Sequence, residues 1–545
     1  MPHDFAPSAL ARGIAALVSL LALLPVKPAL AQALPEPERL ALPPVRDEAA
    51  VGPVEAITFD GATVLTDDEL QAIARPWLRR PLTAADLEEL RLAVTRRLVE
   101  RGYVNSGALI PDGAWRDGRL RLVIVEGRLT GVQVKGQGRL REGYIAERLG
   151  AGSGDPFNVQ ALQDRFQRLL ADPLIARMNA RIVPGAALGE ATLDVDVTRA
   201  QPYKLALLAN NHRTPSVGEA GGGLTGTVWN LSGLGDALDA TVIGSEGSER
   251  LNIGWSVPLP AIGPFVGTVF TLRHDRGDTS VVEEPIASID IVSRVKSLDI
   301  GLGHALIDTL AQRVALGLTW SQRESRTTLL GEPFSFTPGE PDGLSRLHAW
   351  RFMQEFVQRD ATQTLALRST FSWGRNNIMD GLDPALAAPS KRYAFWLGQA
   401  QFARRLADVP GAQLVLKASL QKSRDRLLPL ERLAVGGVAT VRGYRENQLV
   451  RDEGITASVE LHWPLLDAAE SDRRVTLIPF VDAGRARNRG EASDDLGSIG
   501  LALDARFGPL GVELAAAKRL KTPAVATRGA LQDRGVHLQL RYELF

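Results

Sequence analysis

The sequence predicts two small α+β modules of β-α-α-β-β order, followed by a 16-stranded antiparallel transmembrane β-barrel. Three observations lead there. Helical periodicity is confined to the N-terminal part, where the same order of elements occurs twice. From residue 203 onward it gives way to runs in which apolar and polar residues alternate. An export signal precedes both parts, and no later stretch supplies the ~18 apolar residues of a membrane-spanning helix.

The export signal begins at Arg12, which opens the apolar run 14–24, IAALVSLLALL, followed by small residues in PALAQA. Residues 1–31 thus read as a secretory signal peptide, with cleavage after Ala31 or Ala33. The competing reading, an uncleaved anchor helix, asks for ~20 apolar residues, more than the run supplies. Residues 32–53 are rich in proline and read as an exposed linker.

The first module is expected over residues 54–129. Residues 54–60, VEAITFD, read as a strand ending at Gly61. Thr66 with Glu69 forms a capping box before the helix DDELQAIA, and Thr83 with Asp86 opens a second helix. Leu87, Leu90, Val94 and Leu98 fall on one stripe of that helix, and Gly102 stands where a C′ glycine ends it. Strands at 103–111 and 118–127 complete the unit. The second module, over residues 130–200, repeats the order. It has a strand at 131–136, a short helix within 140–150 and a helix at 159–171 with Leu162, Phe166 and Leu169 inward. Strands at 174–183 and 191–200 close it.

The barrel is expected over residues 201–545. Ile455, Ala457, Val459, Leu461 and Trp463 alternate with Thr456, Ser458, Glu460 and His462. Leu414, Leu416, Ala418 and Leu420 alternate likewise with Gln413, Lys417, Ser419 and Gln421, and Leu365, Leu367, Phe371 and Trp373 share one face. About sixteen such runs begin near residues 203, 221, 236, 249, 263, 289, 310, 344, 362, 391, 411, 454, 473, 497, 511 and 535. A tilted membrane strand needs ~9–11 residues, with one face toward lipid and the other toward a polar lumen. The insertion 326–345 then reads as an outside loop. The last strand places Val536, Leu538, Leu540, Tyr542 and Leu544 toward lipid, with Phe545 out of phase. A soluble β-sandwich or β-helix would alternate too; the export signal and the number of strands favour the barrel.

Composition removes other classes. Lys+Arg and Asp+Glu both number 63, so no charge excess points to nucleic acid. There is no cysteine for a disulfide, a thiolate metal site or a thiol nucleophile. The seven histidines form no H-E-x-x-H, and no phosphate-binding G-x-x-x-x-G-K-[ST] or G-x-S-x-G elbow occurs. The chain is expected to be no enzyme and to use no cofactor, metal or nucleotide.

One connection is too long for its task. Two to five residues suffice for a hairpin, yet a loop over 424–453 joins two of the strands and carries ATVRGYRENQ. Within it Gly436 and Gly437 precede the tetrad Val441, Arg442, Gly443 and Tyr444. Further on, Phe480, Val481, Asp482, Ala483 and Gly484 form a second short motif. These two motifs, with a signal peptide, two modules and a barrel, resemble the outer-membrane transporters of two-partner secretion. That family, of the haemolysin and filamentous-haemagglutinin secretion-activation type, lies within the BamA-like POTRA-plus-barrel superfamily. The resemblance covers essentially the whole mature chain, and the run 230–240, NLSGLGDALDA, also looks like an early family hairpin.

The resemblance implies that the modules are periplasmic POTRA domains and that the 424–453 loop folds back into the barrel lumen. It implies that Asp482 faces inward and meets Arg442. It also implies the partners: one large secreted exoprotein with an N-terminal secretion domain, outer-membrane lipid, and the barrel-assembly machinery for insertion of the chain itself. Many members carry an N-terminal helix that plugs the pore. Here Pro35, Pro37, Pro43, Pro44 and Pro53 interrupt that region, and at most a short helix around Glu38–Leu42 fits.

The residue types suit the implied roles. Arginine offers a planar fork for a carboxylate, Gly443 a backbone turn without a side chain, and Tyr444 apolar area with one hydroxyl. The plainer reading makes Arg442 an exposed loop residue unrelated to Asp482. The module sheets present edges that can receive an extended client by strand addition, or they serve only as rigid spacers. The sequence is therefore read as a type V, two-partner secretion transporter. The alternative is an outer-membrane assembly factor of the BamA-like type. A passive porin would need no modules.

Overall fold

The computed structural model describes residues 49–141, 143–150, 154–259, 267–284, 286–468, 472–522 and 529–545. The expected signal peptide, most of the proline-rich linker and the short helix suggested around Glu38–Leu42 lie outside the described residues. The end of that linker needs correction. Ala49–Val51 forms a short strand paired with Leu82–Thr83, and Val51 packs against the apolar core of the first module. The last linker residues therefore belong to that module, because an apolar side chain there has a core to join.

The first module runs through strand Ala56–Asp60, helices Asp67–Ala74 and Ala84–Glu100, and strands Gly107–Leu109 and Arg119–Val125, with a short extra strand at Trp115–Arg116. Both helices open in capping boxes, at Thr66 and Thr83. Leu90, Val94 and Leu98 are buried against Ile57, Leu120, Leu122 and Ile124 of the sheet. Gly102 ends the second helix with φ 91°. The strand expected at 103–111 shrinks to Gly107–Leu109. The Tyr103 N–H bonds back to Leu98 O and the Ser106 N–H to Tyr103 O, so the helix exit consumes those residues. The second module runs through Arg128–Lys135, Gly143–Leu149, Val159–Leu170, Ile175–Pro184 and Glu190–Arg199. In both sheets the first and last strands pair in parallel, and the intervening strand pairs antiparallel with the last.

Sixteen wall strands then close a barrel, with Val536–Glu543 pairing back onto Tyr203–Asn210. They begin at Tyr203, Gly221, Ala237, Ser248, Thr268, Ile291, Gln312 and Leu344, and then at Gln363, Arg392, Gln413, Glu453, Arg473, Asp494, Leu510 and Val536. The start anticipated near residue 263 lies outside the described residues, where that strand is described from Thr268; elsewhere the largest offset from expectation is at Asp494, anticipated near residue 497. The insertion 326–345 is shorter as a loop than the sequence suggested. Strand Gln312–Leu329 runs through its first residues, and Glu332–Pro333 adds a small hairpin. No helix among the described residues is long and apolar enough to cross a membrane; the barrel crosses with strands.

Alternation sorts the wall. On strand Glu453–Ala468, Ile455 and Val459 are 45% and 49% exposed on the outside, whereas Ser458 and Glu460 are 8% and 4% exposed inside. Phe545 lies beyond the end of strand Val536–Glu543, so the phase of that strand does not govern it. It packs edge-on against Tyr203 at 5.9 Å, where the barrel begins. The turn 230–236 docks on the second module. The Arg141 N–H bonds to Gly233 O at 2.8 Å, and Trp229 joins that module's core. Asp236 stiffens this turn by accepting from the Ser232 N–H and Trp255 Nε1–H at 2.9 and 3.0 Å.

Candidate functional site: the inward loop and its seat

The long connection enters the barrel as a small hairpin, Leu433–Val435 against Leu449–Arg451. Gly436 and Gly437 leave its first strand with φ of 112° and 94°, which L side chains rarely adopt. A Cβ on Gly437 would fall 2.2 Å from the Glu446 carboxyl carbon. That carboxylate accepts the Val438 N–H at 2.7 Å and closes the apex. Burial pushes the Glu446 carboxyl pKa up, against the pull of that bond.

The seat is the strand Arg473–Arg487. Its alternation turns Phe480, Asp482 and Gly484 inward while Val481 stands 47% exposed outside. Each inward position receives one part of the loop. Asp482 holds Arg442 in a fork, Nε to Oδ2 and Nη2 to Oδ1 both at 2.8 Å, and also accepts the Arg442 backbone N–H at 3.0 Å. Phe480 lies under the guanidinium, 3.5 Å from Cζ to the ring centre. Gly484 leaves the space that Val435 and Val441 fill; a Cβ there would stand 2.6 and 2.9 Å from their methyl groups.

Two wall residues complete the arginine site that sequence reasoning did not assign. Glu460 Oε1 sits 2.9 Å from Arg442 Nη2, and Ser458 Oγ accepts from the same nitrogen at 3.0 Å. Glu460 also takes both Lys417 Nζ contacts at 3.0 Å and meets His462 Nε2 at 2.9 Å. The only available signal was the inward phase of both residues on a strand already read as alternating. Asp482 and Glu460 have side chains 0% and 4% exposed, so Arg442 faces two carboxylates shielded from water. Desolvating such a group offsets most of its Coulombic gain, but removing one partner costs ~3–5 kcal/mol. The network therefore fixes position more than it adds stability.

The rest of the tetrad is equally enclosed. Tyr444 is 0% exposed, within an apolar cluster of Val435, Val441, Leu449, Ala486 and Leu496. Its hydroxyl lies 2.7 Å from Lys521 O and 2.9 Å from Gly497 O, and it accepts the Gly497 N–H at 3.2 Å. Gly443 has φ 92°, and a Cβ would meet Ala517 Cβ at 2.9 Å. Its N–H donates to His537 Nε2 at 3.1 Å, and its carbonyl accepts from Arg519.

Sequence reasoning also missed two further anchors. Arg445 forks onto Asp533 at 2.7 and 2.8 Å and onto Glu283 at 2.9 and 3.1 Å, joining the apex to two outer loops. Pairing with Asp533, and then with Glu283, raises its pKa despite partial burial. At the loop base, Glu431 accepts from Arg351 at 2.5 Å, and Asp452 accepts the Leu427 and Arg489 N–H groups at 3.0 Å.

A closed sixteen-strand barrel with its long loop seated on the inner wall, behind two β-α-α-β-β modules, defines an outer-membrane POTRA-plus-barrel protein. Residues 53–127 match the ShlB-type POTRA domain, and residues 189–507 match the haemolysin secretion/activation protein family ShlB/FhaC/HecB. The chain belongs to that family, with its barrel in the outer membrane and its modules in the periplasm. It is 22% identical over 467 residues to the outer membrane transporter CdiB of Escherichia coli, covering 79% of this chain and 71% of that one. The solved structure of CdiB from Escherichia coli superposes with a TM-score of 0.73 at 19% identity, covering 94% of this chain and 93% of that one. BamA from Haemophilus ducreyi lacking POTRA domains 1–3 superposes with a TM-score of 0.53 at 12% identity, covering 91% and 100%.

Proposed function

We propose that this outer-membrane protein is the transporter of a two-partner, type V secretion pair. The family match over residues 189–507 carries the reading. One large exoprotein reaches the periplasm unfolded, and its N-terminal secretion domain docks on the modules. The sheet edge of strand Ile175–Pro184, paired on one side only, suits strand addition to an extended client. The client then passes through the barrel to the cell surface, drawn by folding outside. The chain performs no catalysis in this scheme and needs no nucleotide or cofactor. Its other partners are outer-membrane lipid and the machinery that inserts it.

In this reading the tetrad 441–444 and Asp482 hold the loop in its working position along the wall. Support comes from the burial of Arg442 between two carboxylates, an arrangement with no purpose in a loop that only reverses the chain. The BamA-like assembly alternative has the lower structural likeness and would not require a dedicated exoprotein. The test is co-expression with a large repeat-rich exported protein encoded beside this one. Wild type is expected to release that protein into the medium. Arg442→Ala is expected to insert normally, judged by heat-modifiable gel mobility, yet secrete at least about tenfold less, as loss of an orphaning-sensitive contact implies. Wild-type secretion by that variant would remove the role given to the tetrad.

A further inference from the structure

The outer wall carries a feature apart from the loop and its seat. Trp320, Trp350 and Trp373 stand side by side on three adjacent strands, Trp320 opposite Trp350 and Trp350 opposite Trp373. All three point out of the barrel, and Trp350 and Trp373 are 44% and 45% exposed. Two residues nearer the cell exterior on the same faces, the next rung contains His348, Arg375 and Arg392, again in register. His348 stacks on Trp320 with ring centres 5.9 Å apart. These six side chains line one groove of about 390 Å³ on the outside of the wall.

An aromatic rung at the membrane boundary is ordinary for such barrels. The basic rung above it is less so, because its charges are not spent within the protein. Among the described residues Arg375 and Arg392 form no ion pair. The acidic groups nearby are already engaged: Glu324 by Arg326 and Arg346, Asp380 by Lys391, and Asp425 by the Ala394 N–H. Asp380 also acts on Arg375 through space, without bonding to it. Two guanidiniums and an imidazole thus stand over an apolar shelf, on the exterior side of an aromatic rung of the kind that marks the membrane boundary of such barrels.

We infer that this groove binds a phosphorylated, multiply acylated glycolipid of the outer leaflet. The phosphate is forked by Arg375 and Arg392, and the acyl chains lie against Trp350 and Trp373. Guanidinium suits phosphate because its planar donors match two oxygens at once, and the tryptophans suit the apolar–polar boundary. The groove faces lipid, so a soluble anion has no route to it that leaves the aromatic shelf covered.

The test uses the full chain purified in detergent, with diphosphoryl lipid A and its dephosphorylated form as probes, followed by native mass spectrometry and tryptophan fluorescence. The wild-type protein is expected to retain diphosphoryl lipid A preferentially, and R375Q/R392Q to bind it about tenfold more weakly, as loss of two charge-assisted forks implies. The control is R404Q at the opposite end of strand Arg392–Arg405, expected to bind within about twofold of wild type, as an unrelated exposed charge should. Heat-modifiable mobility verifies that each variant forms its barrel. The proposal is overturned if R375Q/R392Q binds like wild type, if both lipid forms bind equally, or if inorganic phosphate competes as well as the lipid.

Discussion

Leu90, Val94 and Leu98 of the first module and Arg442, Asp482 and Glu460 of the barrel are all less than one-tenth exposed, yet they hold different things. In the module the buried face is apolar and joins helix to sheet, so its loss unfolds the unit. In the barrel the wall is held by backbone ladders that do not pass through Arg442. The buried charges join a loop to a wall that would stand without it. Burial in the first case specifies a fold; in the second it specifies the position of a loop.

Asp482→Ala tests that distinction most strongly. It removes the forked partner of a buried guanidinium and leaves only Glu460 and Ser458 on one of its nitrogens, at a cost of up to ~3–5 kcal/mol, so the loop is expected to become accessible to protease while heat-modifiable mobility persists. Pairing it with Glu460→Gln in a double-mutant cycle should give a coupling of ~0.5–3 kcal/mol, because both carboxylates share Arg442. If the barrel itself is lost, the separation between wall and loop is wrong. Leu122→Ala probes the other side, at ~2–5 kcal/mol of module stability measured by hydrogen exchange, with the barrel unaffected. The smallest effect is expected from Thr83→Ala, which removes a helix cap worth ~0.5–2 kcal/mol. The Arg80 guanidinium and Thr83 hold the Asp86 carboxyl down at about 2. That contribution is complete above the ordinary value of 3.8 and is lost as pH falls through about 2.

The strands were legible because inside and outside alternate with period two, and lipid enforces the pattern along every wall element. The helices were legible through their caps and stripes. The tetrad stood out by the length of its loop, but its pairing with the wall motif came only from the resemblance, since nothing local says that residue 442 meets residue 482. Glu460 was visible as an inward residue but not as a partner: Ser458 and Asp482 face each other through barrel register, which the chain does not state. The Arg445 anchors were further out of reach, because Glu283 and Asp533 lie on loops that meet only after closure. The Ala49–Val51 strand was hidden by the prolines before it.

The bare inward face of Gly484 has a bearing on how the barrel is made. Phe480, Asp482 and Gly484 fit the loop only because the strand Arg473–Arg487 sits in one register. A slip by one residue would aim Val481 and Ala483 at the hairpin, filling the gap left for Val435 and Val441 and withdrawing the carboxylate from Arg442. A misregistered barrel would thus be left with a loop that cannot seat. Seating of the loop is tied to the register of the wall: the hairpin fits only where the bare face of Gly484 meets Val435 and Val441.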